Sequence, residues 1–351
     1  MDRTSWAGRR VLVTGHTGFK GAWLTLWLEA LGAEVIGLAL PPTSSDGAYA
    51  RLGPWSGTSH TIDLRDRAGV HEAITAVDPH AVMHLAAEAI VRRGYRHPTE
   101  TFATNVMGTI HLLEAVRACR NIAAVLVVTS DKVYADASRQ PAQEDDRLGH
   151  PDPYSSSKAC VELVTATWRE SFLRDAGIPV VTARAGNVIG GGDAAPDRLV
   201  PDVLRASDAG RELVIRSPRS IRPWQHVLDP LHGYLVAVAA MLADATSCPA
   251  AVNFGPSEPG WAVEDVVAFL HEELGAGTLR VEPDAGTREA PALLLDSSLA
   301  VGKLGWHPTL GTPDALRWSA AWHLAQRVGT DMRTFSLAQL EEFERRSGIA
   351  R

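Results

Sequence analysis

The sequence predicts an α/β protein: a doubly wound parallel sheet of the Rossmann type, followed by a smaller, loop-rich C-terminal domain. Three observations carry this expectation. Short apolar runs alternate with longer amphipathic stretches over about the first half of the chain, a glycine-spaced turn follows the first run, and Gly/Pro-rich loops replace the alternation after Asn187.

The runs "RVLVTG", "EVIGLAL", "AVMHLAA", "AVLVVTS" and "PVVTARAG" read as buried strands, because continuous apolar residues suit a sheet covered on both faces. Between them, "KGAWLTLWLEALG" reads as a helix stopped at Gly32, a residue free to adopt the left-handed turn that ends a helix. "TNVMGTIHLLEAVRAC" and "SSSKACVELVTATWRESFLRDAG" carry apolar residues at three-and-four spacing and read as helices that cover the sheet. The expected division is a dinucleotide-binding domain over 1–186, rejoined by segments near 226–254, and a mainly substrate-binding domain over 187–351. In the tail, Ser336 with Gln339 three residues on has capping-box spacing, which predicts a surface helix over "SLAQLEEFERR".

Composition narrows the function classes. With 351 residues, 45% hydrophobic and 21% charged at a formal net charge of −7, the chain reads as an ordinary cytoplasmic protein of about two domains. No apolar run approaches the ~20 residues of a membrane helix, and the start lacks a signal-peptide core. Basic residues come only in pairs within an acidic chain, which argues against nucleic acid. Cys119, Cys160 and Cys248 are few and scattered, so reduced thiols and no metal site are expected.

The motifs speak to chemistry. Gly15, Gly18 and Gly21 form G-x-x-G-x-x-G between a strand and a helix, where backbone can approach a pyrophosphate and helix N–H groups face it. Thr17 and Phe19 belong to the same turn. Asp63 and Leu64, after the short run "HTI", are placed to meet an adenine, and Leu85, Ala86 and Ala87 lie at a strand's carboxyl end, where such sheets bind ligands. The run "EVIGLAL" ends in Pro41-Pro42-Thr43, with neither an acid for ribose hydroxyls nor an arginine for a 2′-phosphate. NAD is the expected cofactor. In "YSSSK", Tyr154 and Lys158 stand one helical turn apart, so the lysine cation and a bound nicotinamide would favour the phenolate as a base near neutral pH. "VVTSDKVY" sets Thr129, Ser130, Asp131 and Lys132 at another strand's end, where a buried ionisable pair is costly without a task.

Taken in this order, the glycine turn, "TSDKVY" and "YSSSK" resemble the extended short-chain dehydrogenase/reductase superfamily, and the resemblance covers nearly the whole chain. Within it, "VTGHTGFKGAWLTLWL", "DPYSSSKACVELV", "ARAGNVIGGGD", "DRLVPD" and "IRPWQHVLDPLHGYL" resemble the CDP-glucose 4,6-dehydratases, which carry lysine where the dTDP-glucose branch carries glutamate beside the aspartate. The resemblance implies that Tyr154 deprotonates the glucosyl 4-hydroxyl while NAD accepts hydride from C4, with Ser130 bonded to the same oxygen. It further implies that Asp131 protonates the departing C6 hydroxyl, Lys132 assists at the C5 proton, and hydride returns to C6. Asn105 would serve the cofactor site, and Asn187, Arg198 and Arg222 the substrate diphosphate. A homodimer through the helices that follow Asn105 and Tyr154 is implied as well.

Four positions depart from the expected pattern: Glu88, Gly94, Ala194 and Arg288. They flank the sugar and diphosphate sites, so another nucleotide sugar is a competing substrate. The other competing readings are a nucleotide-sugar 4-epimerase, which needs no acid at C6, a dinucleotide-binding regulator and an interaction protein that has lost its substrate.

Overall fold

The computed structural model describes residues 3–136, 140–275, 277–282 and 293–349. Among them, seven strands form one parallel sheet. In space they run Ala251–Asn253, Val180–Arg184, Ala124–Val128, Ala81–His84, Arg10–Thr14, Glu34–Ala39 and Thr58–Thr61. Arg10–Thr14 and Ala81–His84 are neighbours but not consecutive in the chain, so strand order reverses between them. The carboxyl ends flanking that reversal form the crevice where such sheets take ligands.

Strand alternation sorts the core. Val11, Val13, Leu126 and Val181 face one layer with Trp23, Trp27 and Leu231, whereas Leu12, Val82, Val125 and Val127 face the other with Leu112, Leu113 and Val161. Each buried apolar side chain contributes about 1.5–3 kcal/mol. Both faces are covered, which accounts for strands that are apolar throughout rather than alternating.

The predicted elements appear with small shifts. The first long helix spans Phe19–Ala30 and ends against Gly32 at φ 80°. The helix after Asn105 spans Gly108–Ala118 and is entered through a π-helical turn, Ala103–Met107. The tail is a helix, as expected, but its cap lies elsewhere. Its helix spans Met332–Ser347 and is capped by Asp331, not Ser336. Ser336 is buried and accepts from Trp322 Nε1 at 2.8 Å, while Leu340 and Phe343 join the main core. The charged residues that dominate the run conceal an apolar stripe.

After Asn187 the chain builds a second core from Ile189, Val203, Leu213, Trp224, Val267 and Leu316. Its strands pair only two by two, as in Glu212–Ile215 with Thr278–Val281. Ala251–Asn253 and the helix Leu228–Ala243 return to the large sheet. Among the described residues no helix is long and apolar enough to cross a membrane, and no group of three His, Cys, Asp or Glu side chains is arranged to hold a metal ion.

Candidate active site

The glycine turn is built by backbone on backbone. A Cβ on Gly15, which sits at φ 75°, would stand 2.8 Å from the Ala86 backbone, and one on Gly21 would stand 2.1 Å from the Gly15 carbonyl oxygen. Gly18 caps the Phe19–Ala30 helix without a side-chain bond, leaving the first N–H groups for an anion. Thr17 donates to Leu40 O at 2.8 Å, fixing the turn to the next strand. Phe19 packs against the core beneath. The opposite wall, Leu85 to Glu88, is braced by Asn105. Its Oδ1 accepts from Glu88 N at 2.7 Å, and its Nδ2 donates to Glu88 O at 3.1 Å and Ser157 Oγ at 2.8 Å. This spends its amide on shaping the crevice. Asp63 pairs with Arg65 at 2.6 Å and is partly exposed, and Leu64 is buried against Gly108. A crevice floored by glycine backbone with open helix N–H groups fits a dinucleotide diphosphate.

Across the crevice stands the helix Pro153–Trp168, which carries Tyr154 and Lys158. Asp152 caps it by accepting from Ser155 N at 2.9 Å, and Pro153 occupies the first turn, where its missing N–H costs nothing. This start fixes Tyr154 and Lys158 on the face toward strand Ala124–Val128, where Lys158 Nζ donates to Val128 O at 2.9 Å. Burial lowers the Lys158 pKa to about 8, against the opposing pull of Glu162. Burial pushes the Tyr154 pKa up to about 12; a hydrogen bond with Ser130 and the charge of Arg198 draw it down, while Asp131 and Asp152 push it up. The protein alone therefore holds a protonated phenol at neutral pH.

Ser130, Asp131 and Lys132 leave the strand end in a 3-10 turn, Asp131–Val133. Ser130 Oγ donates to Asp131 Oδ1 at 2.9 Å. Asp131 is 2% exposed, and its Oδ2 has no hydrogen-bond partner. A Cβ on Gly186 would stand 2.0 Å from that oxygen, so only glycine leaves room for the carboxylate there. Lys132 is half-buried beside it.

Beneath the cluster lies a second buried carboxylate, Glu162. Arg184 Nε and Nη2 meet its two oxygens at 2.9 Å each, and the hydroxyls of Thr129 and Thr182 donate at 2.5 and 2.6 Å. Burial raises its pKa, but Arg184 and the two threonines outweigh burial and leave it below the usual carboxylate range. Arg184 Nη1 continues to Tyr134 Oη and Glu144 O, both at 2.8 Å, and Tyr134 Oη donates to Asn253 Oδ1 at 2.7 Å. Thr129, expected at the cofactor, thus belongs to this floor through its hydroxyl.

Lys20 was quoted in the glycine motif only as a spacer. Its Nζ donates to Tyr234 Oη at 2.6 Å, and burial together with Lys158 and Arg198 lowers its pKa to about 7, with Asp131 opposing. The missed signal was an unpaired charge in "FKGAWLTLWL", which offers no acid within a turn. Gly186, Tyr234 and Glu162 were missed because their partners are distant in sequence.

The substrate side is looser. Asn187 adopts φ 42° and Arg198 Nη1 lies 3.5 Å from Asp193. Arg222 is 8% exposed and donates to Ile221 O at 2.8 Å. Of the four departures, Glu88 pairs with Arg93 at 2.5 Å. Gly94 lies so close to Tyr154 that a Cβ there would stand 3.2 Å from its backbone nitrogen, which gives that glycine a packing reason. Ala194 accepts from Arg205 Nη1 at 3.3 Å, and Arg288 lies outside the described residues.

The chain is similar to known proteins in sequence and in fold. The chain is 42% identical to the CDP-glucose 4,6-dehydratase of Salmonella typhimurium, over 98% of each chain. Its fold is similar to that of an epimerase from Methanothermobacter thermautotrophicus, with TM-score 0.83, 21% identity and coverage of 95% and 96% of the two chains. A UDP-glucose 4-epimerase from Brucella ovis in complex with NAD matches at TM-score 0.78 and 25% identity, covering 90% of this chain and 98% of that one. Residues 11–255, a span that includes the glycine turn, the Ser130–Lys132 strand end and the Pro153–Trp168 helix, match the model of one family, and the chain belongs to it, the NAD dependent epimerase/dehydratase family.

Proposed function

We propose that this protein is a CDP-glucose 4,6-dehydratase, which converts CDP-glucose to CDP-4-keto-6-deoxyglucose and water. The observation that carries the reading is Asp131, a buried carboxylate with one unpartnered oxygen, tied through Ser130 to the Tyr154 phenol. An acid held there has a task when an oxygen leaves C6. A 4-epimerase, which reverses one centre at C4, gives it none. Similarity along nearly the whole chain to a CDP-glucose 4,6-dehydratase supports the same reading.

When bound, NAD supplies the acceptor for the C4 hydrogen with its electron pair and returns that pair at C6, so that the net change is loss of water. Gly15, Gly18 and Gly21 hold its diphosphate, with Thr17 and Phe19 shaping the turn. Asp63 and Leu64 border the adenine, and Leu85, Ala86 and Ala87 line the wall that Asn105 braces. Tyr154, Lys158 and Thr129 would serve the nicotinamide end. Tyr154 receives the C4 hydroxyl proton, Ser130 bonds the same oxygen, Asp131 gives a proton to the C6 oxygen, and Lys132 takes the C5 proton and gives it back. Asn187, Arg198 and Arg222 hold the sugar-nucleotide diphosphate, arginine by its planar donor fork.

The domain division follows: 1–186 with the returning segments for cofactor, and the remainder of 187–351 for sugar nucleotide. A homodimer joins the helices that follow Asn105 and Tyr154, where Met107, Leu163 and Phe172 are exposed. Light scattering giving a monomer mass would overturn the dimer.

Incubation with CDP-glucose and catalytic NAD tests the activity. The expected result is the alkali-induced absorbance of a 4-keto-6-deoxy sugar without net reduced cofactor. Product from a different nucleotide sugar alone would move the assignment to that substrate, and none from any would refute the dehydratase reading.

A further inference from the structure

We propose that Ser130 is a proton conductor that carries the proton collected at Tyr154 to Asp131, so that the acid needed in the second half of the reaction is charged by the first. The inference rests on the dehydratase reading above.

The geometry is a three-membered chain. Ser130 Oγ donates its one proton to Asp131 Oδ1 at 2.9 Å. The serine oxygen accepts from Lys132 N at 3.3 Å, and the Tyr154 phenol is the other side chain in hydrogen-bonding contact with it. All three residues are buried, at 6%, 2% and 7% exposure, which withholds water from the groups that exchange the proton. Gly186 supports the arrangement by giving the carboxylate its space.

The relay balances. As the C4 hydrogen leaves with its electron pair to the family's NAD, the C4 O–H bond breaks and its proton forms a bond to Tyr154 Oη. The phenol's own proton passes to Ser130 Oγ, and the serine's proton passes to Asp131. Tyrosine and serine end neutral, as they began, and the carboxylate has become a carboxylic acid. In the elimination the C5 proton moves to Lys132, the C5–H electron pair forms the C5–C6 double bond, and the C6–O bond breaks. The leaving oxygen takes the proton from Asp131 and departs as water, restoring the carboxylate. Return of the hydrogen pair to C6 and of the proton from Lys132 to C5 closes the cycle without a proton from solvent. Because burial keeps the Tyr154 phenol protonated, a concerted hand-over also spares the enzyme a free phenolate.

The test follows one turnover of the NAD-loaded protein with CDP-glucose in weak buffer, recording reduced nicotinamide, product and the colour of a pH indicator. For the wild type, reduced cofactor should rise and fall while no proton enters the medium. Ser130→Ala should release about one proton per site during oxidation, accumulate reduced cofactor, and slow elimination by roughly 10²-fold, the usual scale for losing acid catalysis. Ser130→Thr, which keeps the hydroxyl, should restore the silent trace. A proton burst from the wild type during oxidation would overturn the relay. So would a Ser130→Ala protein that slows both halves equally without releasing a proton. A wild type that neither reduces its cofactor nor forms product would overturn the dehydratase reading, and the relay with it.

Discussion

Two carboxylates lie in the same sheet-to-helix layer, both almost wholly buried: Glu162 at 5% exposure and Asp131 at 2%. Glu162 accepts from two threonine hydroxyls and two nitrogens of Arg184. Asp131 accepts from Ser130 and leaves one oxygen with nothing. A buried polar group without a partner costs about 1–3 kcal/mol, more when charged. Natural chains keep such groups where a ligand supplies the missing partner. Satisfaction marks scaffold and dissatisfaction marks chemistry, although burial is the same.

The largest expected effect comes from breaking the satisfied site. Glu162→Ala leaves the Arg184 guanidinium buried and unpaired and should cost about 3–5 kcal/mol of stability. Urea unfolding should show the loss as a fall in midpoint with little change in slope. An effect under about 1 kcal/mol would mean that the floor has alternative partners for Arg184.

Asp131→Asn should do the reverse. Dehydration should fall roughly 10²–10⁴-fold, the range for removing a positioned acid, while the unfolding midpoint moves by no more than about 0.5 kcal/mol equivalent. Reduced nicotinamide should also form more slowly from CDP-glucose, because the relay leaves the C4 hydroxyl proton without its acceptor, but elimination should be the slower of the two phases. Loss of both phases together with the fold would place Asp131 with Glu162 instead.

Lys20 adds a cation to the unsatisfied side. Its pKa of about 7 lies below its ordinary 10.5, so between these values the unfolded chain binds more protons and wild-type stability rises with pH. Lys20→Met removes that slope. It should stabilise the protein at neutral pH by roughly 1 kcal/mol, as substitutions that relieve a strained site do, and lower activity by about tenfold. Melting curves at several pH values read the first effect and initial rates the second.

The same contrast explains what was legible in the sequence. The glycine turn, the five buried strands and the Tyr154/Lys158 spacing are local: neighbouring residues determine them through backbone freedom and helical geometry. Strand-end chemistry at Ser130–Lys132 was visible because charge follows an apolar run. The floor was not visible, because Glu162, Arg184, Tyr134 and Asn253 lie far apart in the chain and meet only through strand order. The resemblance implies a place for Asn105 at the cofactor site, whereas the Glu88 backbone that occupies its amide is known only from the fold. Lys20 lies inside the glycine motif, whose backbone spacing gives no sign that the lysine's charge is buried. The tail helix starts at Met332, so Ser336 falls in its second turn instead of capping it, and the stripe of Leu340 and Phe343 is hidden among charges that dominate the run.

A third buried carboxylate sets the limit of the comparison and carries the smallest prediction. Asp229 is fully buried and accepts from Thr309 N at 2.6 Å through Oδ1, while Oδ2 has no partner. Burial raises its pKa to about 7, with the Thr309 and Leu310 N–H groups opposing. It shares the orphan oxygen of Asp131 but lies beside Trp306, whose Nε1 donates to the Asp229 carbonyl at 3.2 Å, and has no phenol or serine relay next to it. The orphan atom alone should therefore not make it chemical. Since the folded pKa exceeds the ordinary 3.8, the folded state binds more protons between about 4 and 7, and this group's contribution to stability is lost as pH rises through that window. Asp229→Asn should flatten the change in melting temperature between about pH 5 and pH 8 by about 2 °C, the shift that roughly 1 kcal/mol makes in a chain of this size. Turnover should stay within about twofold, a barrier change under ~0.5 kcal/mol. A hundredfold loss of turnover in a folded variant would show that Asp229 reaches the reaction, and a buried unpartnered oxygen would then mark chemistry without the neighbouring relay that distinguishes Asp131.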